Sequence, residues 1–439
     1  MEFGKIENVV EAKFRIVTPM FLGGADQSPS DGIRPPSVKG ALRFWWRALN
    51  WSTFRGEAAD DKSALCELHK EEARLFGSAA DNGKGGQGIF LLSIKSDKAK
   101  ELPLSKLFPD LQCKNGSHDF SQSLTVGKFS PRAYMLGMGL TSRNALNGEF
   151  ELRLRFRESS GNEDRESVMK AVEVFGFLGG LGSRTRRGWG SVALCSIEGV
   201  ANFKLPSTID EYKKALCGLT SDLGEPPFSA FSGESRFAFL RITPSNPLEV
   251  IDAIGLELGR YRGWGKGDKV FGVQKEPGER FKSDHDNMKK AALGEQKLGC
   301  DTTPDRLVFG MPHNYFFSSI QNGNKKVDIP APRKKILQCQ ETSNQSPDIQ
   351  RRASPLMVHV HPVGNEYVGV LLKMQSKFLP VMQTKSKATI EAKGGRTKKI
   401  TKRDGSTIQV PCPYLLDVVV KWERIDEFMG RDAFKGVAT

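Results

Sequence analysis

No run of apolar residues in this chain approaches the roughly 20 needed to cross a bilayer as a helix, and no two of its cysteines stand in a Cys-x-x-Cys spacing. The first absence predicts a protein without a membrane span. The seven cysteines (Cys66, Cys113, Cys195, Cys217, Cys300, Cys339 and Cys412) are odd in number and scattered, which predicts free thiols and neither a disulfide framework nor a zinc site. Histidine is scarce, with six in 439 residues, so the usual group for acid–base chemistry near neutral pH is thinly supplied. No helix-turn-helix with a clear recognition helix, zinc-finger spacing or basic zipper is present, which argues against an autonomous DNA-binding protein. The opening Met1–Glu11 is acidic and polar where a secretory signal is basic and then apolar, so a cytoplasmic protein is expected.

Positive charge is what the chain has in excess. Its 65 Lys and Arg against 51 Asp and Glu leave +14, which favours a polyanionic partner. The length predicts two domains. A Gly/Asp/Glu stretch and Pro226-Pro227 precede a new strand at Arg236–Ile242, which puts a boundary near 220–235 and divides the chain into 1–225 and 226–439.

Ala12, Phe14 and Ile16 alternate with Lys13 and Arg15, predicting a half-buried strand that Thr18-Pro19 ends. A Gly/Ser/Pro/Asp loop follows, and Pro36-Ser37 opens a helix with Val38, Leu42, Trp45 and Leu49 on one face. Lys39, Arg43, Trp46, Arg47 and Asn50 gather on the other, a candidate RNA-facing stripe. Asn147-Gly148 carries a hairpin signal before a strand with Phe150, Leu152, Leu154 and Phe156 on one face and Glu151, Arg153, Arg155 and Arg157 on the other. That second face is either solvated or RNA-facing. Val358, Val360, Val368 and Val370 predict a later hairpin around Gly364-Asn365. Residues 385–403 carry eight Lys/Arg and one acid, predicting a mobile basic insertion that orders on a polyanion or simply stays solvated.

The most informative segment is Gly180-Leu-Gly-Ser-Arg-Thr-Arg-Arg-Gly-Trp-Gly190, between a helix ending at Gly179 and an apolar strand from Ser191. Gly180, Gly182, Gly188 and Gly190 let the main chain turn and approach a phosphate. Arg184, Arg186 and Arg187 add charge, and Trp189 offers a stacking face. The structural alternative is a glycine-rich turn whose arginines face water. Arg260-Tyr-Arg-Gly-Trp-Gly265 echoes its end, making Arg260, Arg262, Trp264 and Lys266 further RNA-binding candidates, as Arg241-Ile-Thr-Pro244 echoes Arg15-Ile-Val-Thr-Pro19. A diverged duplication fits these echoes.

Gly-x-Gly, five residues, Gly-x-Gly near a domain's end resembles the signature loop of the RAMP superfamily of CRISPR-associated proteins. Met20–Asp26 with Ile33–Leu49 is similar to the opening of the first-numbered subunit family of the Cmr, or type III-B, effector complex; Arg306–Pro312 and Arg351–Met357 are weaker matches. The resemblance implies an α+β fold of two ferredoxin-like, RRM-like domains with loop insertions. It also implies a subunit that contacts CRISPR guide RNA and complementary target RNA near the guide 3′ region beside other Cmr subunits; the scarce histidines and the lack of a metal constellation in the sequence add the expectation of a non-catalytic role without cofactor or metal. Base pairing would then supply sequence specificity while the protein holds phosphates. The RRM stacking motifs are missing, so contact through loops is expected. The alternative is a metal-dependent RAMP endoribonuclease using Asp26 or Asp31, which lie in the loop where target-cutting relatives place an aspartate; turn formation is their simpler role. His359 and His361 share a strand face, but no third ligand is evident in the sequence nearby.

Overall fold

The computed structural model describes residues 3–24, 28–79, 85–108, 130–140, 143–263, 269–271, 273–274, 281–292, 304–310, 313–316, 320–321, 334–341, 352–378, 388–392, 398–402, 407–410 and 420–438. The chain is α+β and separates into two compact units: residues 1–259, 356–375 and 429–439, and residues 260–355 and 376–428.

In the first unit, strand β1 (Ile6–Met20) leads to helices α1 (Pro35–Glu57) and α2 (Asp61–Phe76), then β2 (Phe90–Lys95), β3 (Ala145–Phe156), α3 (Asn162–Leu178) and β4 (Val192–Val200). The sheet order is β2-β3-β1-β4, antiparallel throughout. Leaving α2 aside, this is a βαββαβ unit with its first and third strands central, the ferredoxin-like arrangement. Alternation decides its faces: Ala12, Phe14 and Ile16 are buried, with Phe14 stacked on Phe150 at 5.1 Å and tilted against Phe175 of α3 at 5.3 Å. On the outer face Lys13 pairs with Glu198 and Arg153 with Glu11, each at 3.3 Å. The face is therefore charge-mixed, which supports the solvated alternative, and such exposed pairs contribute about 1 kcal/mol or less.

Asn147-Gly148 lies inside β3 and does not turn a hairpin. Gly148 sits at φ +117°, opposite Ile16, and a Cβ there would stand 2.2 Å from the Lys98 carbonyl oxygen. Glycine serves close backbone approach at this point, a second use of the residue that turn-seeking reads wrongly.

After α4 (Ile209–Cys217), the chain repeats the topology with β5 (Arg236–Leu240), α5 (Pro247–Arg262), β6 (Leu356–Val363), β7 (Glu366–Lys373), α6 (Glu423–Met429) and β8 (Phe434–Ala438). The order is β6-β7-β5-β8, again antiparallel. The expected hairpin around Gly364-Asn365 joins β6 to β7. All four strands belong to the first unit, and a shared hydrophobic cluster joins the two sheets. Trp45 of α1 stacks on Phe231, which stacks on Phe237 of β5.

The second unit holds a helix at Lys282–Ala292, a 3-10 turn at Asp305–Phe309 and short antiparallel strands. Within the expected mobile insertion, Ala388–Ala392 pairs with Lys334–Glu341 and Lys398–Lys402 pairs with Thr407–Val410. The insertion is thus partly sheet; β-branched Thr389, Ile390, Ile400 and Thr401 favour extended backbone despite the surrounding lysines. Among the described residues no helix is long and apolar enough to cross a membrane.

Candidate nucleic-acid interface

The glycine-rich loop follows α3 and is held at both ends. Gly179 donates to the Phe175 carbonyl at 2.8 Å, and bridges Gly180 to Ser191 and Phe21 to Ser183 lay the loop against the end of β1. Gly182 has φ +87°, and a Cβ would come within 2.5 Å of the Phe21 carbonyl oxygen, so the path requires glycine twice over. Thr185–Arg187 makes a 3-10 turn between two left-handed residues, Arg184 and Gly188. Below it, Thr18 Oγ1 donates to the Gly188 carbonyl at 2.6 Å and accepts from Ser191 N at 2.9 Å, a buried polar clamp.

This geometry corrects the expectation for Trp189. Its ring is fully buried, edge-on to Phe21 at 5.4 Å, and offers no face to a base. Gly188 and Gly190 are buried with it, whereas Gly180 is half-buried and Gly182 exposed. The arginines also have internal work. Arg184 Nε donates to the Leu136 carbonyl at 2.9 Å and Arg187 donates to the Tyr134 carbonyl at 3.2 Å. These acceptors close the short helix Pro131–Leu136, where the helix dipole favours cations. Arg186 lies over the Phe44 ring at 5.7 Å.

The stripe on α1 is changed in the same sense. Trp46 is buried and its indole donates to Ser167 Oγ at 2.8 Å, so it belongs to the core. Arg43 and Arg47 both bind the carboxylate of Glu72, which is only 2% exposed on α2. Lys39 stands 5.6 Å from the centroid of Phe90, and burial first, then the nearby Arg43, pulls its ammonium pKa below the ordinary value. The stripe fastens α1 to its neighbours.

Where the loop meets the end of β1 and the start of α1, a cavity of about 400 Å³ opens. Leu22, Gly23 and Gly24 line one side; Asp31, Arg34 and Ser37 another; Arg143, Gly182 and Ser183 the third. Pro35 and Pro36 occupy the first helical positions and have no N–H, while Ser37 N already donates to the Arg34 carbonyl at 3.0 Å. Anion binding here falls to side chains: the Arg34 and Arg143 guanidiniums and the serine hydroxyls. Sequence reasoning passed over Arg34, Arg143, Ser37 and Ser183. The Pro-Pro helix start was a usable signal for Arg34 and Ser37, whereas Arg143 is brought in only by the tertiary fold.

Asp31 lines this cationic cavity as an exposed carboxylate, and Asp26 lies outside the described residues. Among the described residues, no three His, Cys, Asp or Glu gather in a way that could hold a metal ion. His359 and His361 are buried on β6, with His361 stacked on Tyr212 at 4.1 Å. Burial takes His359 down to about 3 and His361 well below its ordinary value. Arg260 and Arg262 end α5, and Trp264 and Lys266 lie outside the described residues.

Residues 13–193, from β1 through the glycine-rich loop, match the family model of the RAMP superfamily. The chain is 28% identical over 198 residues to the CRISPR system Cmr subunit Cmr1-1 of Pyrococcus furiosus, covering 44% of this chain and 51% of that protein. It thus spans about half the length of the curated relative it matches. Among solved structures it is similar to Cmr1 from Pyrococcus furiosus in its apo form, with 19% identity, 86% of this chain and 91% of that one covered, and a TM-score of 0.46. It is also similar to a chain of the type III-B Cmr-beta complex bound to cognate target RNA, with 12% identity, 86% and 97% covered, and a TM-score of 0.43. The chain resembles RAMP-superfamily CRISPR-associated proteins, and the matched stretch contains both the helix opening and the loop that suggested it.

Proposed function

We propose that this chain is a non-catalytic RNA-binding subunit of a type III-B CRISPR effector complex, contacting guide and target RNA near the guide 3′ region beside other Cmr subunits in the cytoplasm. The observation that carries the reading is the cavity between β1, α1 and the glycine-rich loop. It places two guanidiniums and several hydroxyls on loops and at the start of α1, inside the RAMP-matched stretch. Such groups hold a phosphodiester backbone without reading bases, which suits a protein that accepts any guide. The loop arginines serve mainly to fix the loop, and Arg34 and Arg143 take over the phosphate contact. We assign the two ferredoxin-like repeats to sequence domains 1–225 and 226–439, each carrying one of the two main sheets that share the first compact unit.

Purification of the tagged full chain from its native host, with sequencing of co-purified RNA, tests the assembly. Short repeat-tagged guides and sibling subunits are expected; a chain recovered without RNA contradicts the reading. Arg34→Ala with Arg143→Ala is expected to weaken single-stranded RNA binding and to reduce the slope of log affinity against log salt by roughly 1.4, at about 0.7 per lost phosphate contact. Cleavage of target RNA that needs Mg²⁺ or Mn²⁺ and disappears in Asp31→Ala, with affinity retained, would promote the ribonuclease alternative.

A further inference from the structure

The second unit holds two guanidiniums that the cavity in the first unit does not use. Arg262, at the end of α5, lies over the Phe309 ring with its Cζ 4.8 Å from the centroid. Arg352 lies over Phe378 at 5.7 Å and donates to Ser376 Oγ at 2.6 Å. Both residues are partly exposed, yet among the described residues the Nε of each is buried without a hydrogen-bond partner and neither makes an ion pair. The chain segments that carry the two rings and Arg352 adjoin through the backbone: Phe309 precedes Gly310, whose missing Cβ would stand 2.9 Å from the Arg352 carbonyl oxygen.

Among the described residues, two carboxylates of the second unit are already engaged. Asp305 accepts from Lys421 and from Arg424 Nε, each at 2.7 Å. The two oxygens of Asp284 accept from the backbone N–H groups of Asp305 and Arg306, each at 2.9 Å. A guanidinium partly withdrawn from water carries a desolvation cost that an anion can offset, and a plane fixed on an aromatic ring loses little freedom when it binds one. Burial also lowers the Arg352 pKa from its ordinary value.

We propose that Arg262 and Arg352 form a second phosphate-binding site in the second unit, which takes the backbone of single-stranded RNA on ring-backed guanidiniums. This rests on the RNA-binding reading of the chain. The site differs from the cavity in mechanism, because its donors are pre-set by Phe309 and Phe378 and no glycine loop is involved.

The test uses the full chain, a labelled U20 RNA and anisotropy between 50 and 200 mM salt. In Arg262→Met with Arg352→Met, which keeps apolar contact with the rings and removes the charge, affinity is expected to fall roughly tenfold and the salt slope by roughly 1.4. Arg262→Lys with Arg352→Lys keeps the charge and is expected to keep the slope while losing part of the affinity. If the methionine variant melts early, the lysine variant decides: a wild-type affinity there overturns the role of the ring-backed guanidiniums. Unchanged affinity and slope in a well-folded methionine variant overturn the site while leaving the general reading intact. Absence of RNA binding by the wild type overturns both. Binding of polyglutamate as tight as that of RNA, lost in the same variant, identifies an acidic-protein surface and contradicts the RNA assignment.

Discussion

Removing Arg43 and Arg47 together is expected to cost stability before it costs RNA affinity. Glu72 is 2% exposed and receives both guanidiniums, while the arginines remain 28% and 35% exposed. The double alanine variant strands a carboxylate between α1 and α2, and removal of one side of a buried ion pair typically costs about 3–5 kcal/mol. The arginines' contact with water reduces their own share, so the lower end, about 3 kcal/mol, is the expected loss. Urea denaturation of wild type, Arg43→Ala with Arg47→Ala, and the triple variant Arg43→Met, Arg47→Met, Glu72→Gln measures it. The triple variant is expected to recover most of the loss, because no charge is left buried. If the double variant keeps the wild-type midpoint and slope while RNA binding weakens, α1 presents a free cationic stripe and the packing argument is wrong.

Trp189→Ala is expected to destabilise the first unit by about 3–5 kcal/mol, as large-to-small changes in a packed core do; a stable variant with impaired RNA binding would return the ring to the interface. Gly182→Val is expected to displace the loop from β1 and weaken RNA binding with every arginine retained, measured by anisotropy alongside a thermal melt. Both buried histidines have folded-state pKa values below the unfolded one, so the unfolded chain binds more protons through that range. Their contribution is complete above about pH 6.5 and declines as pH falls below it, for His359 down to about pH 3, by at most about 1.4 kcal/mol per pH unit for each histidine. His361→Phe is expected to flatten this acid dependence in urea titrations; an unaltered slope contradicts it.

The secondary structure was legible wherever one periodicity dominated. Phe14, Phe150 and Val370 alternate as strands do, and Val38, Leu42 and Trp45 recur as helices do. The echo between Arg15–Pro19 and Arg241–Pro244 was also informative, since the first lies at the end of β1 and the second directly follows β5, each the first strand of a βαββαβ unit. The echo of Arg186–Gly190 in Arg260–Gly265 was not equivalent: Arg186–Gly190 follows the second helix of its unit, whereas Arg260–Arg262 closes the first, with Trp264 and Gly265 outside the described residues. Polar and aromatic residues misled most. A tryptophan between glycines reads as a stacking platform until its contact with Phe21 is known, and two arginines on a helix read as a surface until Glu72 arrives from α2. Arg143 joins Arg34 across more than 100 residues of sequence, which no local pattern encodes.

In the proposed function, RNA passes through the cavity formed by β1, α1 and the glycine-rich loop. Photocrosslinking of 4-thiouridine-substituted RNA in the ribonucleoprotein purified from the native host, with adducts mapped by mass spectrometry, tests it most directly. Nucleotide adducts are expected on peptides that carry Leu22–Ser37, Arg143 or Gly182–Ser183. Adducts confined to the outer sheet face around Lys13 and Arg153, with those peptides unmodified, contradict it.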